Sequence, residues 1–252
     1  MDHDTHVCGP DVCGPDVCAV PATPAETLPL AAVASRIDIV SDAICPWCWV
    51  GKRNLEAALA LLGGERFEIF WRPFQLNPDM PPEGVERATY RAAKFGSETR
   101  ARELDAQVAA SGRAAGLEFR HDLMLRTPNT IDAHRLIRLA GGMGGTLQNE
   151  LMEAVFRGYF QEGRDIGSHV VLAEIATEVG LDAGEIRAYL AGDEGAEEVR
   201  AEDAGFRRGG LSGVPTFALE GHVLFSGAMP AENIAEAFRR GLSILRERAK
   251  AA

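Results

Sequence analysis

SDAICPWCWVGK, residues 41–52, is the stretch on which the fold turns. Just before it, Ile37 to Val40 is rich in β-branched residues and predicts a short buried strand. Ser41 to Cys45 turns the chain, and a helix is expected from about Pro46 to Leu62. Leu55, Ala58, Leu59 and Leu62 fall at i, i+3, i+4 and i+7, one face of that helix. Gly63-Gly64 ends it, and a second strand covers about Phe67 to Arg72 before Pro73. Strand–helix–strand at this spacing predicts a parallel pair joined by a crossover helix.

Further out, residues 83–209 read as almost all helix. Helical periodicity or caps mark 85–95, 98–115, 130–139, 146–161, 168–179, 183–190 and 194–208, with Ser168 and Asp182 as N-caps. Gly141-Gly142 and Gly144-Gly145 read as separators between helices, since no Lys-Ser/Thr follows GGMGG to make a phosphate loop. Strand character returns at Val214–Leu219 and His222–Phe225, joined by a tight Glu220-Gly221 turn, and a last helix spans about Ala231–Arg248. Neither sheet fragment is viable alone. The expected architecture is therefore one α/β unit, β-α-β then β-β-α, built from 36–82 and 210–252 and interrupted by an all-helical insertion at 83–209.

Cys45-Pro46-Trp47-Cys48 stands at the strand-to-helix junction. Residues i and i+3 share a helix face, so the two sulfurs are able to meet in a disulfide. Pro46 suits the first helical turn, where its missing N–H costs nothing. Cys45 is left at the N-terminus, where backbone N–H groups and the helix dipole favour a thiolate. An exposed Cys45 would attack disulfides, and a shielded Cys48 would resolve the mixed disulfide. The alternatives are a zinc half-site or two inert cysteines; 36–252 holds no second C-x-x-C and no H-x-x-x-H, so no metal is expected there, and the strand–helix context favours redox work.

SDAICPWCWVGK is similar to the active-site segment of the DsbA branch of the thioredoxin superfamily, in particular its FrnE-like subgroup. WRPFQLNPD at 71–79, RTPNTIDAHRL at 126–136, GVPTF at 213–217 and Gly227-Ala228-Met229-Pro230 extend the likeness over about residues 36–245. The resemblance implies a thioredoxin-like fold split by a helical insertion, and a thiol–disulfide oxidoreductase acting on protein or small-thiol substrates. It further implies that Pro215 is cis and lies against the redox cysteines, with the Val214 backbone pairing to substrate. From the residues alone, Val214 is extended and Pro215 begins a strand without a ladder donor. Trp47 is a candidate substrate contact or a cover for the helix start. Phe74 and Gln75 are candidate groove residues, and His134 reads as a polar contact or surface residue. No cofactor is expected beyond glutathione as a co-substrate. The related 2-hydroxychromene-2-carboxylate isomerases share the inserted-helix architecture but generally carry Ser at the position of Cys45, which makes a glutathione-dependent isomerase or transferase the second reading.

The 252 residues carry a net charge of −11, which argues against nucleic-acid or acidic-membrane partners, both of which need a basic face. A core of this size needs no disulfide staples. No apolar run reaches the length of a membrane span, and the opening MDHD lacks the basic start of an export signal, so a reducing, cytoplasmic setting is expected. Residues 1–35 hold five acidic residues, no Lys or Arg, five prolines and the repeat VCGPDVCGPDVC. They read as a poorly ordered acidic arm. Its Cys8, Cys13 and Cys18 have three readings: inert low-complexity thiols, a redox relay to Cys45, or a soft-metal site with His3 and His6 that would make the arm a metal-binding or redox-sensing element. Composition says nothing of oligomeric state.

Overall fold

The computed structural model describes residues 34–251. Cys8, Cys13 and Cys18 lie outside them. A four-stranded mixed sheet forms from β1 (Ser35–Ser41), β2 (Phe67–Pro73), β5 (Thr216–Leu219) and β6 (His222–Ser226), in the order β2-β1-β5-β6. β1 runs parallel to β2, Ile37 opposite Ile69, and antiparallel to β5, Ile39 opposite Phe217. β5 and β6 form an antiparallel hairpin with an irregularity between Phe217 and Ala218. Its turn places Glu220 (φ 49°) and Gly221 (φ 77°) both in the left-handed region, as a two-residue hairpin loop requires.

Ile37 and Ile39 on central β1 are fully buried because the strand has neighbours on both edges and helices above it. Helix α1 (Pro46–Leu61) follows β1 and packs against α9 (Ala231–Ala251). Between β2 and β5 come α2 (Arg87–Phe95), α3 (Glu98–Ala114), α4 (Ile131–Met143), α5 (Gly145–Phe160), α6 (His169–Glu178), α7 (Ala183–Ala191) and α8 (Ala196–Arg208). This is the expected sheet interrupted by helices, with one correction to "all-helical". Val85–Glu86 (β3) and Arg126–Thr127 (β4) make a two-residue antiparallel ladder. Pro81, Pro82 and Gly84 stop helix formation there, and the Glu86 carboxylate accepts the Ala88 and Thr89 amides to begin α2.

A second correction concerns Gly141-Gly142, which lie inside α4 rather than between helices; the turn is at Gly144 alone (φ 142°). The reason is packing. A Cβ on Gly141 would come within 2.6 Å of Gln148 Nε2. The Gln148 amide that occupies this space accepts from Trp71 N (3.0 Å) and donates to Trp71 O (3.2 Å), satisfying the outer edge of β2. Of the two expected caps, Asp182 accepts from the Gly184 and Glu185 amides, whereas Ser168 makes no side-chain cap bond.

Candidate active site

The loop from β1 to α1 is set by Asp42, whose side chain is fully buried. Its backbone carbonyl accepts from Cys45 N (3.0 Å), and its Oδ2 accepts from Leu76 N (2.7 Å), tying the loop to the segment after β2. Oδ1 lies 3.3 Å from His134 Nε2 on α4. Cys45 then serves as N-cap of α1 with extended backbone (φ −90°, ψ 110°), and Pro46 occupies the first helical position. No acidic side chain sits in that first turn, so the partial positive end of α1 faces Cys45 without a competing carboxylate.

Both cysteines are free thiols. The Cys45 thiol donates to the Val214 carbonyl oxygen at 3.6 Å. The Val214–Pro215 peptide bond is cis. Pro215 packs over Gly51 of α1, where an added Cβ would lie 3.0 Å from the proline Cγ. The Pro215 carbonyl is held by Gly227 N (2.8 Å), and Asn54 Nδ2 on α1 donates to Met229 O (2.8 Å). The GVPTF and GAMP segments are thereby clamped to α1. Cys48 lies one turn beyond Cys45 and is wholly buried. Burial pushes its thiol well above the usual value, the neighbouring Cys45 thiol adds to this, and the Ser41 hydroxyl and Asp42 backbone oppose it.

The sequence predicts an exposed Cys45, and the structure corrects this: only 3% of the residue is exposed. It lines a cavity of about 330 Å³ together with Ile44, Trp47, Leu76, Val214 and residues of α2, α3 and α5. Trp47, 38% exposed, forms part of that rim. Phe74 and Gln75 do not line it. Phe74 is buried under the Arg207 guanidinium at 4.2 Å, and Gln75 N is anchored to Asp203 Oδ1 (3.0 Å). Of the two readings of His134, the polar contact holds and the surface position does not, since it is buried against Asp42. The buried polar set behind the cysteines, Ser41, Asp42 and His134, was missed by residue patterns, although Asp42 and His134 stood within two of the segments that carried the resemblance.

The DSBA-like thioredoxin domain matches residues 36–239. The chain belongs to this family. A probable DsbA oxidoreductase from Streptomyces coelicolor is 34% identical, with a TM-score of 0.74 over 83% of this chain and 90% of that one. The fold of this DsbA-family chain is also shared by a 2-hydroxychromene-2-carboxylate isomerase (13% identity, TM-score 0.59, 86% and 99% covered). The cytosolic disulfide reductase DsbM of Pseudomonas aeruginosa shares it too (21% identity, TM-score 0.54, 86% and 100% covered). Among the described residues, no helix is long and apolar enough to cross a membrane.

Proposed function

We propose that this DsbA-family protein exchanges a disulfide at Cys45 and Cys48 with thiol or disulfide substrates. The observation that carries the reading is the Cys45 thiol at the start of α1, 3.6 Å from the Val214 carbonyl and open to a cavity, with a buried thiol one turn behind. In the oxidising direction for the protein, the Cys45 thiolate attacks one sulfur of RSSR. A Cys45–SR mixed disulfide forms, and RS⁻ leaves and takes up a proton. The deprotonated Cys48 then attacks Cys45 Sγ and expels the second RS⁻, so two thiols and RSSR become one protein disulfide and two RSH. The reverse sequence oxidises substrate thiols. Val214 offers backbone groups to the bound chain, and Trp47 covers it.

The FrnE-like subgroup and a cytoplasmic setting belong to the same proposal. The second is supported by the fold shared with a protein described as a cytosolic reductase. A relay from the arm thiols Cys8, Cys13 and Cys18 to Cys45 belongs to the same proposal and is tested by deleting residues 1–20: turnover should change, and unchanged redox cycling removes the relay. The main test is insulin reduction and dithiol oxidation by wild type, Cys45→Ser and Cys48→Ser. Activity that survives Cys45→Ser overturns the reading. The shared fold with an isomerase favours a glutathione-dependent isomerase as the second reading. Isomerase turnover that survives Cys48→Ser would select it, because exchange through a protein disulfide needs both sulfurs.

A further inference from the structure

The wall of the Cys45 cavity contributed by α2 and α3 is charged, although the rest of the lining is largely apolar. Arg87, Arg91 and Lys94 line it, against a single lining carboxylate, Asp105. Asp105 is already shared, with Arg87 Nη2 at 3.1 Å and Arg91 Nη2 at 2.6 Å. His121 stands 3.7 Å from the same carboxylate. Burial is the main influence holding this imidazole below its ordinary value, against the pull of Asp105, so it brings no fixed charge near neutral pH. The three cations therefore exceed the one anion, in a chain whose overall charge is −11.

The donors are also incompletely used. Among the described residues, three buried side-chain polar atoms have no hydrogen-bond partner: Arg91 Nε, Asn77 Nδ2 and Ser41 Oγ. The first belongs to this wall. The second belongs to Asn77, whose Oδ1 accepts from Tyr90 Oη (2.6 Å) and Lys94 Nζ (3.2 Å), both on lining residues. The third lies by Cys48. Arg91 Nη2 is spent on Asp105 and on the Ala101 carbonyl (3.0 Å), which ties α2 to α3, while its Nε is left over. Arg91 and Lys94 also lie over the Phe95 and Tyr90 rings, at 4.7 and 5.2 Å, which holds both cations on the cavity wall.

We propose that Arg91, with Arg87 and Lys94, forms an anion subsite that holds a carboxylate of a small acidic thiol while its sulfur meets Cys45. This deepens the exchange reading and rests on it. The cavity is at the small end of the roughly 300–1,000 Å³ of small-molecule pockets, which suits a peptide of a few residues better than a folded substrate. Screening at physiological salt acts over about 8 Å, so these local cations outweigh the distant negative charge of the molecule.

The reduced full-length protein is mixed with glutathione disulfide, with the same disulfide after esterification of its carboxylates, and with neutral hydroxyethyl disulfide. Formation of the Cys45–Cys48 disulfide is followed by alkylation and peptide mass mapping. Esterification is expected to slow wild type about tenfold, and Arg91→Gln to reduce the preference for the acid over the ester to about twofold or less. Where Arg91→Gln does not fold, Lys94→Gln replaces it, because Lys94 is exposed; a fall of about threefold in the same preference is then expected. Sulfate should slow the acid but not the ester. Equal wild-type rates for acid and ester, or no effect of sulfate on that difference, overturn the subsite. Failure to react with all three disulfides, hydroxyethyl disulfide included, overturns the exchange reading itself.

Discussion

The surroundings of the two cysteines differ more than their one-turn separation suggests. In front of Cys45 is a cavity with an apolar floor and a cationic wall. Around Cys48 are Ser41, the Asp42 backbone and the packed core of α1, with no exposed surface at all. A single helical turn is enough to separate access from protection, because i and i+3 share a face but sit at different depths when the helix starts at the rim and runs inward. The two thiols are therefore not interchangeable.

The largest effect is expected from Cys45→Ser, which should reduce insulin reduction to the uncatalysed background. Cys48→Ser should also stop turnover but trap one equivalent of mixed disulfide on Cys45, visible by intact mass. Adducts in equal yield on both single variants would erase the distinction.

Next comes pH. Cys48 ionises only well above its ordinary value of 9.0, chiefly because it is buried. Resolution of a preformed Cys45 mixed disulfide should therefore accelerate about tenfold per pH unit up to pH 9, following the thiolate fraction. A plateau at or below pH 8 would break the prediction. The same shift affects stability. At low pH both folded and unfolded Cys48 are protonated. Above about pH 9 the unfolded thiol ionises first. Reduced wild type should thus lose stability relative to Cys48→Ala as pH rises from 9, measured by urea denaturation.

Smaller effects should follow from the supports. Asp42→Ala removes the acceptor of Leu76 N and the partner of His134, and should cost about 2–4 kcal/mol in denaturant unfolding, since each orphaned buried group costs about 1–3 kcal/mol. Gly51→Ala places a Cβ 3.0 Å from Pro215 Cγ and 3.2 Å from Phe217 Cζ, and should cost about 1–3 kcal/mol while slowing exchange by displacing Val214 from Cys45. Unchanged stability with Gly51→Ala would show that the proline loop yields freely. Trp47→Ala, at a partly exposed rim position, should alter stability by about 0.5 kcal/mol or less. It should slow insulin more than hydroxyethyl disulfide, which sharpens the contrast between rim and core.

Much of this was legible in the sequence, for identifiable reasons. β1, α1 and β2 were readable because β-branched runs, an i, i+3, i+4, i+7 stripe and glycine or proline punctuation are local signals. The meeting of Cys45 with Val214 was available only through resemblance, since nothing local links residues 169 positions apart. Cys45 was expected to be exposed because a helix N-terminus considered alone faces solvent; the segments containing Leu76, Tyr159 and Val214 close over it. His134 looked like an ordinary helical histidine because its partner Asp42 lies 92 residues earlier. Gly141-Gly142 imitated a turn because a helix interior seldom contains two glycines, and the Gln148 amide that needs the space belongs to the next helix. The surplus of cations in the cavity was hidden inside an acidic composition.

Strand β1 lies between β2, which follows it within about thirty residues, and β5, which the ribosome delivers only after eight intervening helices. Throughout that interval a nascent chain has CPWC but no Val214 carbonyl to receive the first thiol, and one edge of β1 is uncovered. The surroundings of Cys45 are therefore completed late in synthesis, and a product truncated ahead of residue 213 would keep the cationic wall but lack the carbonyl that receives the Cys45 thiol.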